Sequence, residues 1–486
     1  MTANRTWRFM RLPVICLILL AIPFLFSCNK DNKDNTQPPP TLSSDKDIIS
    51  FVLKQADHSG FDTSEIRVTI TGDTIRVSLP FNTNLTGLFP DIQISGVSIS
   101  PATGIAQDFS KPVLYTVKAD DGSTKSYTVI VSCRPEQENV LYIGSSNNNF
   151  YAINLADGTL KWKYSGNGWF SYASPTVYNG IVYAGCTDNN LFAFDGKTGQ
   201  VKWQYLTGGS IESSLTVKDG VVYAGSDDHN LYALDALTGT LKWKYTTGNN
   251  VSSSPAIENG VVYFGSSDSK VYALNISDGS LKWVFSAAAM INQSGATISN
   301  GVVFIGSRDG NLYAIDAATG LEKWRYSAVP ISLEQSSPTV KNGIVYIGGW
   351  YEIANFTNAG SVYAVDEITG HLLWTALDHK GFSSSPYVAG NTLYISADDG
   401  NFYALNASNG HTKWSKDILP NSAGATEVNG TVYVGGGGSG YIYALDATYG
   451  TEIWKFPVPG GLTNSSPCVV SDGGQVYHPG NAGEEF

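Results

Sequence analysis

Eight tryptophans, Trp162, Trp203, Trp243, Trp283, Trp324, Trp374, Trp414 and Trp454, recur at intervals of 41, 40, 40, 41, 50, 40 and 40 residues. A chain with that period must stack about eight similar units, and each unit must be short enough to repeat in 40 residues. One unit shows how the length is filled: Ser253-Ser254-Pro255-Ala256-Ile257, then Val261 to Gly265, then Val271 to Leu274, then Leu281-Lys282-Trp283. These are four short runs of β-branched and aromatic residues separated by polar turns. Four strands per 40 residues is the length of a propeller blade rather than of a helical repeat. Composition agrees, with 51 Gly, 27 Tyr and only 15% charged residues, as many short strands joined by tight turns require. The fold class expected is all-β.

The link between the third and fourth strands is the most regular part of the repeat. Ala233-x-Asp235-x-x-Thr238-Gly239-x-x-x-Trp243 recurs with the same residues at Ala193 to Trp203, Ala314 to Trp324 and Ala364 to Trp374. Asp can accept from backbone N–H groups two or three residues on, Gly tolerates the positive φ of a bulged hairpin, and Ala leaves room for a neighbouring sheet. Trp offers a broad apolar surface with one N–H to satisfy, which suits the wedge between radially arranged sheets. This pattern resembles the tryptophan-docking motif of PQQ-like propellers over residues 138–478, and the resemblance implies an eight-bladed β-propeller spanning 138–486. Four copies depart from it: Asn154, Asn275 and Asn406 replace Asp, while Asp157, Asp278, Asn409 and Tyr449 stand in place of Thr. Those four turns are expected to be weaker.

Ring closure is also legible. Complete units open near Ser174, Ser213, Ser254, Ser294, Ser337, Ser385 and Ala423, and an eighth opening strand, Ser465 to Val470, follows the last Trp with no unit of its own. The first three propeller strands, Val140 to Gly144, Phe150 to Ile153 and Leu160 to Tyr164, lack an opening strand. The two parts are expected to complete one sheet, which leaves no open edge.

Ahead of the repeat, Arg5, Arg8 and Arg11 precede the apolar run Leu12 to Phe26, which ends in Leu25-Phe26-Ser27-Cys28. The run is short for a membrane span and has the layout of a secretory signal. It resembles a bacterial lipobox, which implies a signal peptide over 1–27 and lipidation at Cys28; Asn29 after it favours the outer membrane, facing periplasm or exterior. Residues 28–44, with Pro38-Pro39-Pro40, read as a flexible tether. From Asp45 to Ser132, Ile66, Val68 and Ile70 alternate with polar residues, Gly72-Asp73 makes a turn, and Ile75, Val77 and Leu79 return. A second hairpin runs from Val113, Tyr115 and Val117 through Asp121-Gly122-Ser123 to Tyr127, Val129 and Val131. Each hairpin is expected to bury one face, giving an Ig-like β-sandwich over 45–134. The region resembles an Ig-like domain found near the N-terminus of many Gram-negative surface lipoproteins, where it implies a spacer.

The net charge of −12 offers nothing to a phosphate backbone, so nucleic acid is not an expected partner. Cys133, Cys186 and Cys468 are too few and too scattered for a disulfide framework or a metal site, and Cys186 and Cys468 fall inside strand patterns as small apolar residues. Quinoprotein dehydrogenases with PQQ-like repeats resemble one another in a vicinal disulfide, a Ca²⁺ site and a catalytic Asp. No Cys-Cys pair occurs here, and the carboxylate pairs Asp227-Asp228 and Asp398-Asp399 read as solvated turns. Gly437-Gly438-Ser439-Gly440 lies in a glycine-rich hairpin, not a nucleophile elbow, and His229, His371, His379, His411 and His478 lack His-x-x-x-His spacing. No cofactor, metal or catalytic residue is assigned. A lipid-anchored ring of this kind resembles the BamB-like propellers, which implies a monomeric scaffold for envelope proteins. The scaffold is the leading expectation; the added Ig-like domain departs from that pattern and moves weight towards the alternative, a surface lipoprotein that binds a glycan or another ligand. A quinoprotein-like enzyme is the third alternative.

Trp169 and Trp350 are the only tryptophans after the leader that lie outside the repeat motif. Trp169, Phe170 and Tyr172 fall on the link into the next unit, and Trp350, Tyr351 and Phe356 on the insertion that lengthens one repeat to 50 residues. Because strand direction alternates, both loops are expected on one face, nearly opposite each other, as candidate binding loops.

Overall fold

A computed structural model describes residues 42–54, 66–79, 83–133, 139–353, 357–378, 380–420, 422–471 and 475–477. Cys28, the leader, all of the expected tether but its last three residues, Phe356, His379 and His478 lie outside them. All the regular structure described is β.

Two small sheets come first. Ile48–Lys54, Thr86–Ile94 and Gln107–Asp108 form one; Arg67–Thr71, Thr74–Leu79, Thr124–Cys133, Val113–Lys118 and Ser98–Ser100 form the other, with Thr74–Leu79 parallel to Thr128–Cys133. They share a core in which Phe51 meets Phe109 and Tyr115 edge-on, at 6.4 and 5.9 Å, above Leu53, Ile75, Val77 and Val129. Both expected hairpins form. The first departs from its expected burial: Ile75, Val77 and Leu79 are buried, but Val68 and Ile70 are exposed. Arg67–Thr71 is an edge strand paired only with Thr74–Leu79, so its apolar row lies beyond the reach of the opposing sheet.

Among the described residues from Val140 onward the chain makes seven four-stranded antiparallel sheets and one five-stranded sheet, arranged as a β-propeller, with a small two-stranded sheet of Tyr351–Ile353 and Thr357–Ala359 beside them. The sequence of strand types follows from where water is. In the third unit of the series, Val261–Ser266 and Lys270–Asn275 lie between neighbouring sheets, so nearly every residue is buried on both faces. The fourth strands, such as Leu241–Thr246, face the rim and alternate exposed and half-buried residues. That is why the inner strands read as continuous apolar runs and the outer ones as alternating patterns.

The repeat motif is a staple between neighbours. The Nε1–H of Trp162 donates to the Gly196 carbonyl of the next sheet, and Trp203, Trp243, Trp283, Trp324, Trp374 and Trp414 do the same to Ala236, Ile276, Ala317, Glu367, Ala407 and Ala447, at 2.8 to 3.2 Å. Trp454 completes the circuit by donating to Leu155 at 2.9 Å. The motif glycine has two reasons to be glycine. Gly199 has φ +73°, and a Cβ there would lie 2.6 Å from Cδ2 of the docked Trp162. Each of these hairpins also carries a register shift beside its Ala, as between Ala193 and Phe194, where the extra residue lets the strand turn.

The four irregular turns are not short of hydrogen bonds, contrary to expectation. In the regular turn Asp195 Oδ1 accepts from Thr198 N–H and Oγ1–H, both at 2.9 Å. Where Asp is displaced to the Thr position, Asp157 accepts from Thr159 at 3.0 and 2.7 Å, and Asp278 from Ser280 at 2.9 and 2.7 Å. Asn409 Oδ1 takes His411 N–H at 3.0 Å, and Asp446 takes the N–H groups of Thr448 and Tyr449. In the first three turns an acceptor at the Thr position takes these bonds, and in the fourth Asp446 keeps the regular place.

The ends of the repeat meet as expected. Cys468–Val470 pairs with Val140–Gly144 in the register Cys468 to Tyr142, Val469 to Leu141 and Val470 to Val140, and Val476–Tyr477 adds a further strand at that edge. Cys468 and Cys186 are buried among apolar neighbours, and burial pushes the Cys186 thiol up to about 12.

Candidate binding site at the axial funnel

The links between sheets and the loops between second and third strands emerge together and are tied to each other. Ser332 and Trp350 exchange backbone hydrogen bonds at 2.8 and 3.0 Å, and Asp227 N–H donates to Ser210 O at 2.9 Å. Within this face six of the links first drop an apolar side chain into the ring. Phe170, Ile211, Val251, Ile291, Leu333 and Phe382 are all buried, each over a glycine at the end of a second strand, as Phe170 sits over Gly144. Phe170 is therefore not an exposed loop aromatic. It packs against Phe150, Phe192 and Tyr164 at 5.7, 5.6 and 6.2 Å because the link's main chain turns it towards the gap that Gly144 leaves.

After the plug, the link turns to the axis. Tyr172, Glu212, Ser252, Gln293, Gln335, Ser383, Ser422 and Asn464, one from each sheet, line a cavity of about 120 Å³, with Ser174, Ser214, Ser254, Ser337, Ser385 and Ser466 also in its wall. That is room for several waters or one small polar group. The second set forms a girdle: Ser466 N–H donates to Ser174 Oγ, Ser174 N–H to Ser214 Oγ and Ser214 N–H to Ser254 Oγ, at 3.0 to 3.1 Å. Gly295 and Ser337 continue the pattern to Ser337 and Ser385. A hydroxyl that accepts a neighbour's N–H still has its own proton to give, so the girdle can present O–H donors to the axis.

Among the described residues Glu212 is the one carboxylate of this lining. Burial raises its pKa, and Asp227 nearby adds to the effect. Asp227 is itself raised by burial, against a bond from Ser252 Oγ at 3.0 Å. Tyr172 is raised by burial and then by Glu212. Asn464 Oδ1 is buried and finds no hydrogen-bond partner among the described residues.

The carboxylate pairs are not the solvated turns expected. Asp228 accepts from Gly208 N–H at 2.7 Å, from Tyr232 Oη at 2.6 Å and from Asn230 N–H at 3.1 Å. Asp268 and Asp309 repeat the arrangement with Tyr272 and Tyr313, and Asp399 with Tyr403 and the Lys380 ammonium. A Tyr four residues after the Asp returns over it across the hairpin, so these acids lash one sheet's loop to the preceding link. Asp398 meets Ser383 Oγ at 3.3 Å. No group of three or more metal-ligating side chains occurs among the described residues.

Of the loop aromatics, Trp169 is 46% exposed, and its ring centroid lies 6.2 Å from that of Tyr172, which lines the cavity. Tyr351 is exposed, while Trp350 is half-buried with an Nε1 that has no partner among the described residues. Trp169 therefore connects to the axis and Trp350 lies outside the cavity wall. The polar ring escaped the sequence reading, yet a signal was present. The position before each opening Ser or Ala varies among Tyr, Glu, Gln, Ser and Asn while the residues around it repeat, as expected for a position that faces a ligand or solvent rather than a neighbouring sheet.

Sheets of one pattern, stapled by tryptophans around a polar axis, define a β-propeller with PQQ-like repeats. The chain belongs to the family described as outer membrane protein assembly factor BamB, whose profile matches residues 125–216, 208–354, 288–381 and 330–484. A second profile, SGBP, N-terminal, matches residues 48–131. Comparison with curated protein sequences gives no match. Similar solved structures include BamB from Moraxella catarrhalis, 18% identical with a TM-score of 0.52 over 63% of this chain and 96% of that one. The quinohemoprotein alcohol dehydrogenase ADHIIG from Pseudomonas putida HK5 is 17% identical, with a TM-score of 0.51 over 62% and 68%. The computationally designed Ika8 protein is 19% identical, with a TM-score of 0.50 over 64% and 97%. At these identities the likeness is one of fold.

Proposed function

We propose that this chain is a non-enzymatic binding protein of the cell envelope, in which an eight-bladed propeller presents its axial face to a glycan. The observation that carries this reading is the union of an N-terminal domain of the SGBP type, a name for surface glycan-binding proteins, with a propeller. The axial funnel supports it, because hydroxyl and amide groups around a cavity match the alternating donors and acceptors of a sugar. On this reading the Ig-like sandwich of residues 45–134 is the spacer and residues 138–486 the binding module. Cys28 carries the lipid anchor at the outer membrane. Cys28→Ala should move the protein from the membrane to the soluble fraction; retention in the membrane would refute the anchor.

A second reading, a scaffold for envelope proteins, is favoured by the BamB family match. A glycan array probed with the purified chain and a pull-down from solubilised envelopes separate the two. Binding to defined glycans that falls when Trp169 is changed to Ala supports the first. A blank array with a reproducible protein partner would replace it by the second.

A further inference from the structure

We propose that the mouth of the axial funnel, between Trp169 and Glu212, is a subsite for an uncharged sugar ring, and that Glu212 bars anionic glycans from it. The inference rests on the glycan reading above and gives it a place and a charge preference. Trp169 offers an exposed aromatic face at the rim, 6.2 Å from Tyr172, and Tyr172 shares the cavity wall with Glu212. The C–H face of a pyranose can cover such a ring and remove apolar surface from water on both sides. Its hydroxyls then meet complementary groups: the Glu212 carboxylate and the unpartnered Asn464 Oδ1 accept, and the girdle serines donate.

Charge decides which sugars fit. Among the described residues neither Lys, Arg nor His lines the cavity, while Glu212 does and Asp227 lies close enough behind it to disfavour a second negative charge. A uronate or sulfate ester would enter a partly desolvated site beside like charge with no counter-ion, an arrangement that costs affinity steeply.

The test is titration calorimetry of the full mature chain with neutral hexasaccharides of glucose, xylose and mannose, and with a galacturonate hexamer of the same length. At least one neutral hexamer should bind, and the galacturonate hexamer at least about tenfold more weakly. Trp169→Ala should weaken the neutral ligand about tenfold or more. Glu212→Gln should close most of the gap between neutral and anionic hexamers. Were that variant unable to fold, Glu212→Ser places there the residue that Ser252 and Ser383 supply in other sheets. Equal binding of both charges, or a gap untouched by the Glu212 variants, overturns the subsite but leaves the glycan reading standing. Failure of every hexamer to bind overturns both.

Discussion

Gly180 and Gly199 share a positive φ, +74° and +73°, but not their surroundings. Nothing lies within 4 Å of a Cβ at Gly180, whereas one at Gly199 would collide with the Trp162 indole. Gly180→Ala should therefore cost only the left-handed strain, about 1 kcal/mol, and Gly199→Ala should cost clearly more because the staple must shift. Denaturant midpoints of the two variants measure this; equal losses would mean that the glycine serves the turn alone. The turn aspartates also set a pH dependence. Thr159, Thr238, Ser280, Thr319 and Thr369 hold Asp157, Asp235, Asp278, Asp316 and Asp366 below the ordinary Asp value of 3.8 by side-chain hydrogen bonds. Their contribution is complete above that value and lost as pH falls through the lower folded values. Glu334 works in the other direction, since burial raises it above 4.5 and Arg308 only partly offsets this. Its carboxylate destabilises the fold at neutral pH, and stability returns as pH falls through its raised value. Melting temperature should thus rise slightly as pH falls from neutrality through the raised value of Glu334, and fall once pH drops below the ordinary Asp value. Glu334→Gln should lessen the rise, leaving the share of Glu212 and Asp227, which burial also raises, and keep the acid fall; a rise unchanged in Glu334→Gln would show that Glu334 has no part in it.

At the scale of elements, the five-stranded sheet carries the greatest consequence. Cys468–Val470 joins two chain ends more than 300 residues apart, and Thr426 Oγ1 and Ser466 N–H bind across to its neighbours. Deleting everything after Gly461 removes that strand and bares the Val140–Gly144 edge, so cooperative unfolding should be lost or aggregation appear. A truncated chain with the full-length melting transition would contradict ring closure by the termini. Strand grammar, docking residues and closure were legible because each rests on a local rule repeated eight times, and repetition averages out the exceptions. The exposure of Val68 and Ile70 was not legible, because an edge strand and an inner strand share one alternating pattern. Nor was the burial of Phe170, since the gap that it fills is made by Gly144, 26 residues earlier. Asp228 looked like a turn acid because its partner Tyr232 reads as a core strand residue.

For the whole molecule, eight sheets bring eight residues of five kinds to one axis, and only the ring makes them neighbours. Single repeats could not reveal that Tyr172, Glu212 and Asn464, nearly 300 positions apart at the extremes, share one wall. The same geometry separates Trp169, which reaches that wall through Tyr172, from Trp350, which does not line it. The central claim is that the axial face holds a glycan. The most direct measurement is a crystal structure of the mature chain with the tightest ligand found on a glycan array. The predicted result is a sugar ring over Trp169 and Tyr172 with a hydroxyl on Glu212. A ligand seated on the N-terminal sheets, or on the opposite face of the propeller, would contradict it.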